Sequence, residues 1–237
     1  IIMKQVNFIL FFFIFYIFHA QSQCLDLEYG CDTVKTNNFL SNYTEYYKQK
    51  SFSDAYEPWK WLVENSPQRT KNLYLHGPKI LKGLIEKSED DVKKDNLIQE
   101  LIKIYDLRLK YYPGKEGYVL ALKGKDMYKY KSNTIEELKA CRLVLQNSFE
   151  IDGLNSTATT INYYFNVSLK LFQQKEIDKQ DLMTLFSDVS EVVDYREVSI
   201  SQEIFNLNSD TTKLLTTKEK KEISKLKSEL ERIEKAK

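Results

Sequence analysis

With 237 residues, the chain is long enough for one domain with a real core or a short solenoid, and too short for two large domains. Its 35 basic and 34 acidic residues leave a formal charge of +1, which argues against a nucleic-acid surface and against an acidic cation store. Only 7 Gly and 4 Pro stand beside 29% charged residues, so a turn-rich β fold is set aside for helices with short connections.

Residues 1–23 read as a targeting segment. Lys4 supplies a positive n-region, and residues 8–18 (FILFFFIFYIF) form an apolar run of eleven. Spanning a bilayer takes about twenty residues, so a cleaved secretory signal over 1–20 is expected rather than an anchor. Cleavage is expected after Ala20, leaving Gln21 as the mature start, although Phe18 is bulky at −3. Met3, behind Ile1 and Ile2, is the expected initiator. The competing reading acylates Cys24, but Gln21, Ser22 and Gln23 do not form a lipobox. Residues 21–35 are a leader in which Cys24 and Cys31 bracket a short loop. Two readings stand: a Cys24–Cys31 disulfide in an oxidising compartment, or two unpaired thiols in a flexible leader. Cys141 falls in a predicted helix. After cleavage His76 is the one histidine left, and without a Cys-x-x-Cys pair no metal or other cofactor is expected.

Two short helices are predicted within 39–67 (FLSNYTEYYKQKSFSDAYEPWKWLVENSP). Phe39, Tyr43 and Tyr46 make one stripe at i, i+4 and i+7, and Phe52, Ala55, Trp59 and Leu62 make the second before Pro67 closes the unit. This spacing resembles a tetratricopeptide (TPR) repeat. Small Ala55 stands where the two helices approach closely, and Trp59, Leu62 and Pro67 follow it at offsets of four, seven and twelve. The departures are Asn42-Tyr43 in place of Leu-Gly, and Pro58 inside the second helix.

Three more pairs follow: 72–87 with 91–111, 117–130 with 134–149, and 156–173 with 178–195. In the second pair Leu73, Gly77, Ile80, Leu81 and Leu84 face Ile98, Leu101, Ile102, Tyr105 and Leu109. Gly77 and Gly124 repeat the small first-helix position. In the fourth pair Ile161, Tyr164, Phe165, Ser168 and Phe172 face Leu182, Leu185, Phe186, Val189 and Val193. Thr134-x-x-Glu137 is a capping box, and so is Thr216-x-x-Glu219. Residues 198–212 are weakly patterned, a helix plus a loop. From 216 a charged helix carries Ile223, Leu226, Leu230 and Ile233, a seam expected to dock on the last helix pair. No stop signal precedes Lys237, so further repeats are expected beyond it.

The motif YEPWK (56–60), the segment DAYEPWKWLVENSP and the run TTKEKKEISKLK together resemble secreted TPR-like proteins of Bacteroidota. That resemblance covers essentially the whole mature chain. It implies a cell-envelope scaffold without known catalytic residues. Asn65-Ser66 stands where such relatives carry a cysteine before the proline.

Several features have a chemical reading beside a structural one. His76-Gly77-Pro78-Lys79 would suit an anion if it opened a helix, against a close-packing role for Gly77. Glu89-Asp90-Asp91 and Glu136-Glu137 would serve as paired carboxylates of a hydrolase, against helix capping. Asn42-Tyr-Thr44, Asn155-Ser-Thr157 and Asn166-Val-Ser168 fit glycosylation acceptors in a eukaryotic source.

The expectation is an all-α, right-handed α-solenoid of about four TPR-like hairpins over 36–197, with a signal helix before it and a linker and charged helix over 198–237. Phe39, Ala55, Trp59, Leu62, Pro67, Gly77, Tyr105 and Gly124 are its packing residues. Its function is to present a groove to a protein or peptide partner in the periplasm or at the outer membrane. Tyr43, Tyr46, Tyr47, Lys50, Tyr74, Lys110 and Lys129 are the candidate groove residues, an aromatic and basic set suited to an acidic peptide end or a glycan. A membrane-tethered subunit of a secretion or gliding complex is the alternative, and a hydrolase a weaker one.

Overall fold

The computed structural model describes residues 26–209 and 215–235. The predicted signal at 1–20, Cys24 and part of the 198–212 segment lie outside the described residues. All regular structure among those described is helical, and no helix there is long and apolar enough to cross a membrane. The chain divides into two compact units, one ending at His76 and one beginning at Gly77.

In the first unit, α1 (Thr33–Lys48) begins at Asp32, whose carboxylate accepts from the Lys35 N–H at 2.9 Å. That cap starts the helix inside the expected leader, well ahead of Phe39. The stripe is also shifted. Thr36 and Tyr43 are buried, Phe39 and Tyr47 half-buried, and Tyr46 is 37% exposed. Tyr46 leaves the seam because the side of α1 facing α2 (Phe52–Asn65) runs through 36, 43 and 47.

α1 ends in a Schellman motif. The Lys50 N–H donates to Tyr47 O at 3.0 Å, the Ser51 N–H to Tyr46 O at 2.9 Å, and Lys50 takes the left-handed position at φ 60°. In α2, Ala55, Trp59 and Leu62 are buried. The helix continues through Pro58, which leaves only the carbonyl of exposed Asp54 without its helical donor. The Trp59 indole N–H donates to Leu73 O at 2.7 Å and the Tyr74 hydroxyl to Pro67 O at 2.8 Å, tying α2 and its exit to the first turn of α3 (Asn72–Lys87).

The described part of the leader, from residue 26 on, is held by the chain around it. The Thr36 hydroxyl donates to Tyr29 O at 2.6 Å and the Gln68 N–H to Leu27 O at 2.7 Å. Gly30, at φ +66°, sits so close that a Cβ would lie 2.7 Å from Asn65 O. Cys31 is disulfide-bonded, which removes the unpaired reading for that residue.

The second unit holds the rest of α3, then α4 (Asp91–Tyr111), α5 (Glu116–Tyr130), α6 (Ile135–Asp152), a 3₁₀ turn (Gly153–Asn155), α7 (Ala158–Gln173), α8 (Lys179–Asn208) and α9 (Thr217–Glu234). From α4 onward each helix packs on the next, and α5 also touches α7 as α7 touches α9. Both predicted capping boxes are present, with Thr134 and Thr216 accepting from the backbones of Glu137 and Glu219, which bond back. Asp90 accepts from Lys93 N–H, so the acids of both clusters stand at helix starts.

Gly117 and Gly124 lie on the face of α5 that meets α6. A Cβ on Gly124 would fall 2.4 Å from Leu145 Cγ, and one on Gly117 2.2 Å from Asp152 Oδ1. Cys141 Sγ donates to Gly124 O at 3.3 Å and Ser148 Oγ to Gly117 O at 2.7 Å, so small donors fill what the glycines leave open.

α8 differs most from expectation. It runs on to Asn208 instead of stopping at Tyr195, because Ile200 is buried and Ile204 packs on the same core under α9. α9 docks there through Ile223, Leu226, Leu230 and Ile233. The Glu229 carboxylate accepts from the Ala158 N–H at 2.8 Å, capping α7 from another helix. At its other end α7 closes in a second Schellman motif with Lys175 at φ 63°.

Candidate functional site

A buried polar cluster joins α3, α4 and α5. Asp126 lies on α5 between buried Gly124 and Met127, and is itself only 2% exposed. A carboxyl group is tolerated there because one of its oxygens has two polar partners. The Tyr105 hydroxyl of α4 donates to Oδ2 at 2.5 Å, and Lys82 Nζ of α3 lies 2.7 Å from the same oxygen. Burial drives the Tyr105 phenol far above its ordinary value, and the Asp126 charge and hydrogen bond add to it. The phenol stays protonated and serves as donor.

One turn along α4 from Tyr105, Arg108 is 4% exposed. Burial holds it below its ordinary value, with Tyr118 and Tyr105 partly offsetting that. Its guanidinium carbon is 5.9 Å from the Tyr118 ring, and its buried Nε has no hydrogen-bond partner.

On α5 and α7 a second group reaches the surface. Tyr128 and Tyr163 meet edge-on at 5.5 Å, both half-buried, and Lys170 Nζ lies 4.2 Å from the Tyr128 ring. Exposed Lys129 follows Tyr128 and pairs with Glu86 of α3 at 4.0 Å. Lys125, also exposed, is one turn before Tyr128. Behind them Arg142 of α6 donates to Ser168 Oγ at 3.1 Å and faces the Tyr164 ring. Burial pushes the Cys141 thiol up to about 12, against the pull of Lys170.

The expected groove residues divide between the two units, Tyr43, Tyr46, Tyr47, Lys50 and Tyr74 in the first and Lys110 and Lys129 in the second. Tyr43 and Tyr74, each 1% exposed, are core of the first unit and offer a partner no surface. Both are candidate groove residues by sequence, and Tyr43 is also part of the packing stripe. Tyr74 instead satisfies its hydroxyl on Pro67 O, so the whole ring is buried. Tyr47 stacks on His76 at 3.8 Å, Tyr46 is exposed, and Lys50 occupies the turn after α1. In the second unit Lys110 lies over the ring of its neighbour Tyr111, while Lys129 belongs to the Glu86 pair.

The packing residues lie as follows. Ala55, Trp59, Leu62 and Tyr105 are buried hydrophobics, Pro67, Gly77 and Gly124 are buried, and Phe39 is half-buried edge-on to Trp61 at 5.2 Å. His76-Gly77-Pro78-Lys79 falls inside α3 and not at its start, so the open N–H groups an anion would need are not there.

Asp126, Lys82 and Arg108 escaped sequence reading. The signal was present for Arg108: it continues Leu101, Ile104 and Tyr105 at helical spacing, where Leu109 was expected to carry the stripe. Against protein-family models, curated proteins and solved structures, the chain finds no match in any of the three comparisons.

Proposed function

We propose that this chain is a non-catalytic protein-binding scaffold of the bacterial cell envelope, a TPR-like solenoid whose first helices carry the contact face. The observation that bears most weight is the Tyr128–Tyr163 pair with Lys170 across it, on two first helices that pack together. Half-buried rings lose little freedom on binding, and the flanking Lys125 and Lys129 favour an acidic partner segment. The meeting of α5 with α7 and of α7 with α9 supports layered hairpins. The Cys31 disulfide supports an oxidising compartment, hence export.

A photo-crosslinking residue at Lys125 tests the face, with Val92 (73% exposed, on α4) as control. A discrete adduct from position 125 that Lys170→Glu weakens is the expected result. Equal labelling from position 92, or none from 125, overturns it. Recovery of the chain in the cytosol on fractionation would overturn the compartment separately.

A further inference from the structure

Arginine does not shed its proton in a protein, so a buried guanidinium needs an anion, a set of acceptors or water. Of the other arginines, Arg69 lies 3.5 Å from Glu28, Arg232 lies 3.8 Å from Glu229 and Arg142 bonds Ser168. The Nε atoms of Arg69 and Arg196 also lack a partner, but both side chains are only half-buried. Arg108 is different. It is only 4% exposed, its Nε has no hydrogen-bond partner, and no ion pair joins it to a carboxylate among the described residues.

The nearby acids are already engaged. Asp126 already holds Tyr105 and Lys82 on its Oδ2. Glu116, on the first turn of α5, accepts from the Gly114 N–H at 2.7 Å, and it is the tyrosines that act on Arg108. What relief exists is weak: a ring near the outer limit of cation–π reach, and a place in the last turn of α4 where helix carbonyls favour a cation.

We propose that Arg108 is the receptor for an oxyanion, a carboxylate or phosphate group, entering at the turn between α4 and α5 beside Tyr118. The fork of Nε and one terminal nitrogen matches two oxygens of such a group, and Nε is the atom left unsatisfied. Tyr118 is 43% exposed, so its ring can move aside without opening the core. Lys110 and Lys115, exposed on either side of the turn, attract an anion toward it. This site is independent of the Tyr128 face.

The test is thermal unfolding and titration calorimetry of the full chain in inorganic phosphate, acetate or a short polyglutamate peptide, against chloride at matched ionic strength. Wild type should be stabilised by at least one of the three, with Tyr118→Ala retaining the response. Arg108→Leu and Arg108→Gln should each lose about tenfold to a hundredfold in affinity, the range for a deleted charge-assisted bond. The polar Gln variant keeps the test open where Leu fails to fold. A response to phosphate alone identifies a free phosphate-type ligand, and saturation by polyglutamate below the acetate concentration identifies a partner's acidic segment. No response in wild type, or an equal response in both Arg108 variants, overturns the proposal.

Discussion

Tyr105→Phe removes one oxygen from the buried cluster and nothing else. The ring keeps its packing, since Tyr105 is 2% exposed and its hydroxyl meets only Asp126 Oδ2, at 2.5 Å. The carboxylate retains Lys82 at 2.7 Å but loses its second donor at a site 2% exposed. A charge-assisted bond in such a place contributes about 1.5–3 kcal/mol. For a chain of this length that corresponds to a fall in Tm of roughly 4–10 °C. Thermal and urea unfolding of Tyr105→Phe, with exposed Tyr46→Phe as control, measure it. A double-mutant cycle with Asp126→Asn should give a coupling energy of about 1–2 kcal/mol, because the hydroxyl then faces a neutral amide. If Tyr105→Phe falls within the error of the Tyr46 control, or the cycle is additive, the bond is not what keeps Asp126 buried.

Alkaline stability follows from the same burial. Cys141 is raised from 9.0 and Tyr43 from 10.0, each to about 12, and Tyr105 is raised further. In each case the unfolded chain loses its proton first, so stability is whole below pH 9 and falls above it, by about 1.4 kcal/mol per pH unit for each titrating group. Urea midpoints from pH 8 to 11 should fall first between 9 and 10, and Cys141→Ala should remove that first portion. Lys50→Gly and Lys175→Gly, each relieving a left-handed backbone, should each raise stability by about 1 kcal/mol, read as a higher urea midpoint at unchanged slope. Gly124→Ala should cost about 1–3 kcal/mol, because its Cβ would lie 2.4 Å from Leu145 and one side of the α5–α6 seam must yield; an unchanged Tm would show that seam to be looser than its geometry.

Helix content and most helix boundaries were legible in sequence because their causes are local. Thr134 with Glu137 and Thr216 with Glu219 set helix starts within four residues of chain, and the acids at 89–91 and 136–137 serve those starts. The seam through Ile223 and Ile233 was legible too, as a repeat along one face. Turn chemistry was harder to read. Two helices end on lysine at the left-handed position usually given to glycine, so the scarcity of Gly concealed where the chain turns.

What tertiary structure alone decided is where charge and helix length depart from the local pattern. α8 extends to Asn208 because α9, arriving from later in the chain, covers a stretch whose own pattern is weak. Asp126 is tolerated in the interior because Lys82 and Tyr105 reach it from two other helices, and no window of sequence contains all three. Burial of Arg108 in place of Leu109 is likewise a matter of which side of α4 faces its neighbours. Propensity and capping act over a few residues, whereas desolvation depends on every group around a side chain; that difference in range is why helix starts can be read locally and the buried charges cannot.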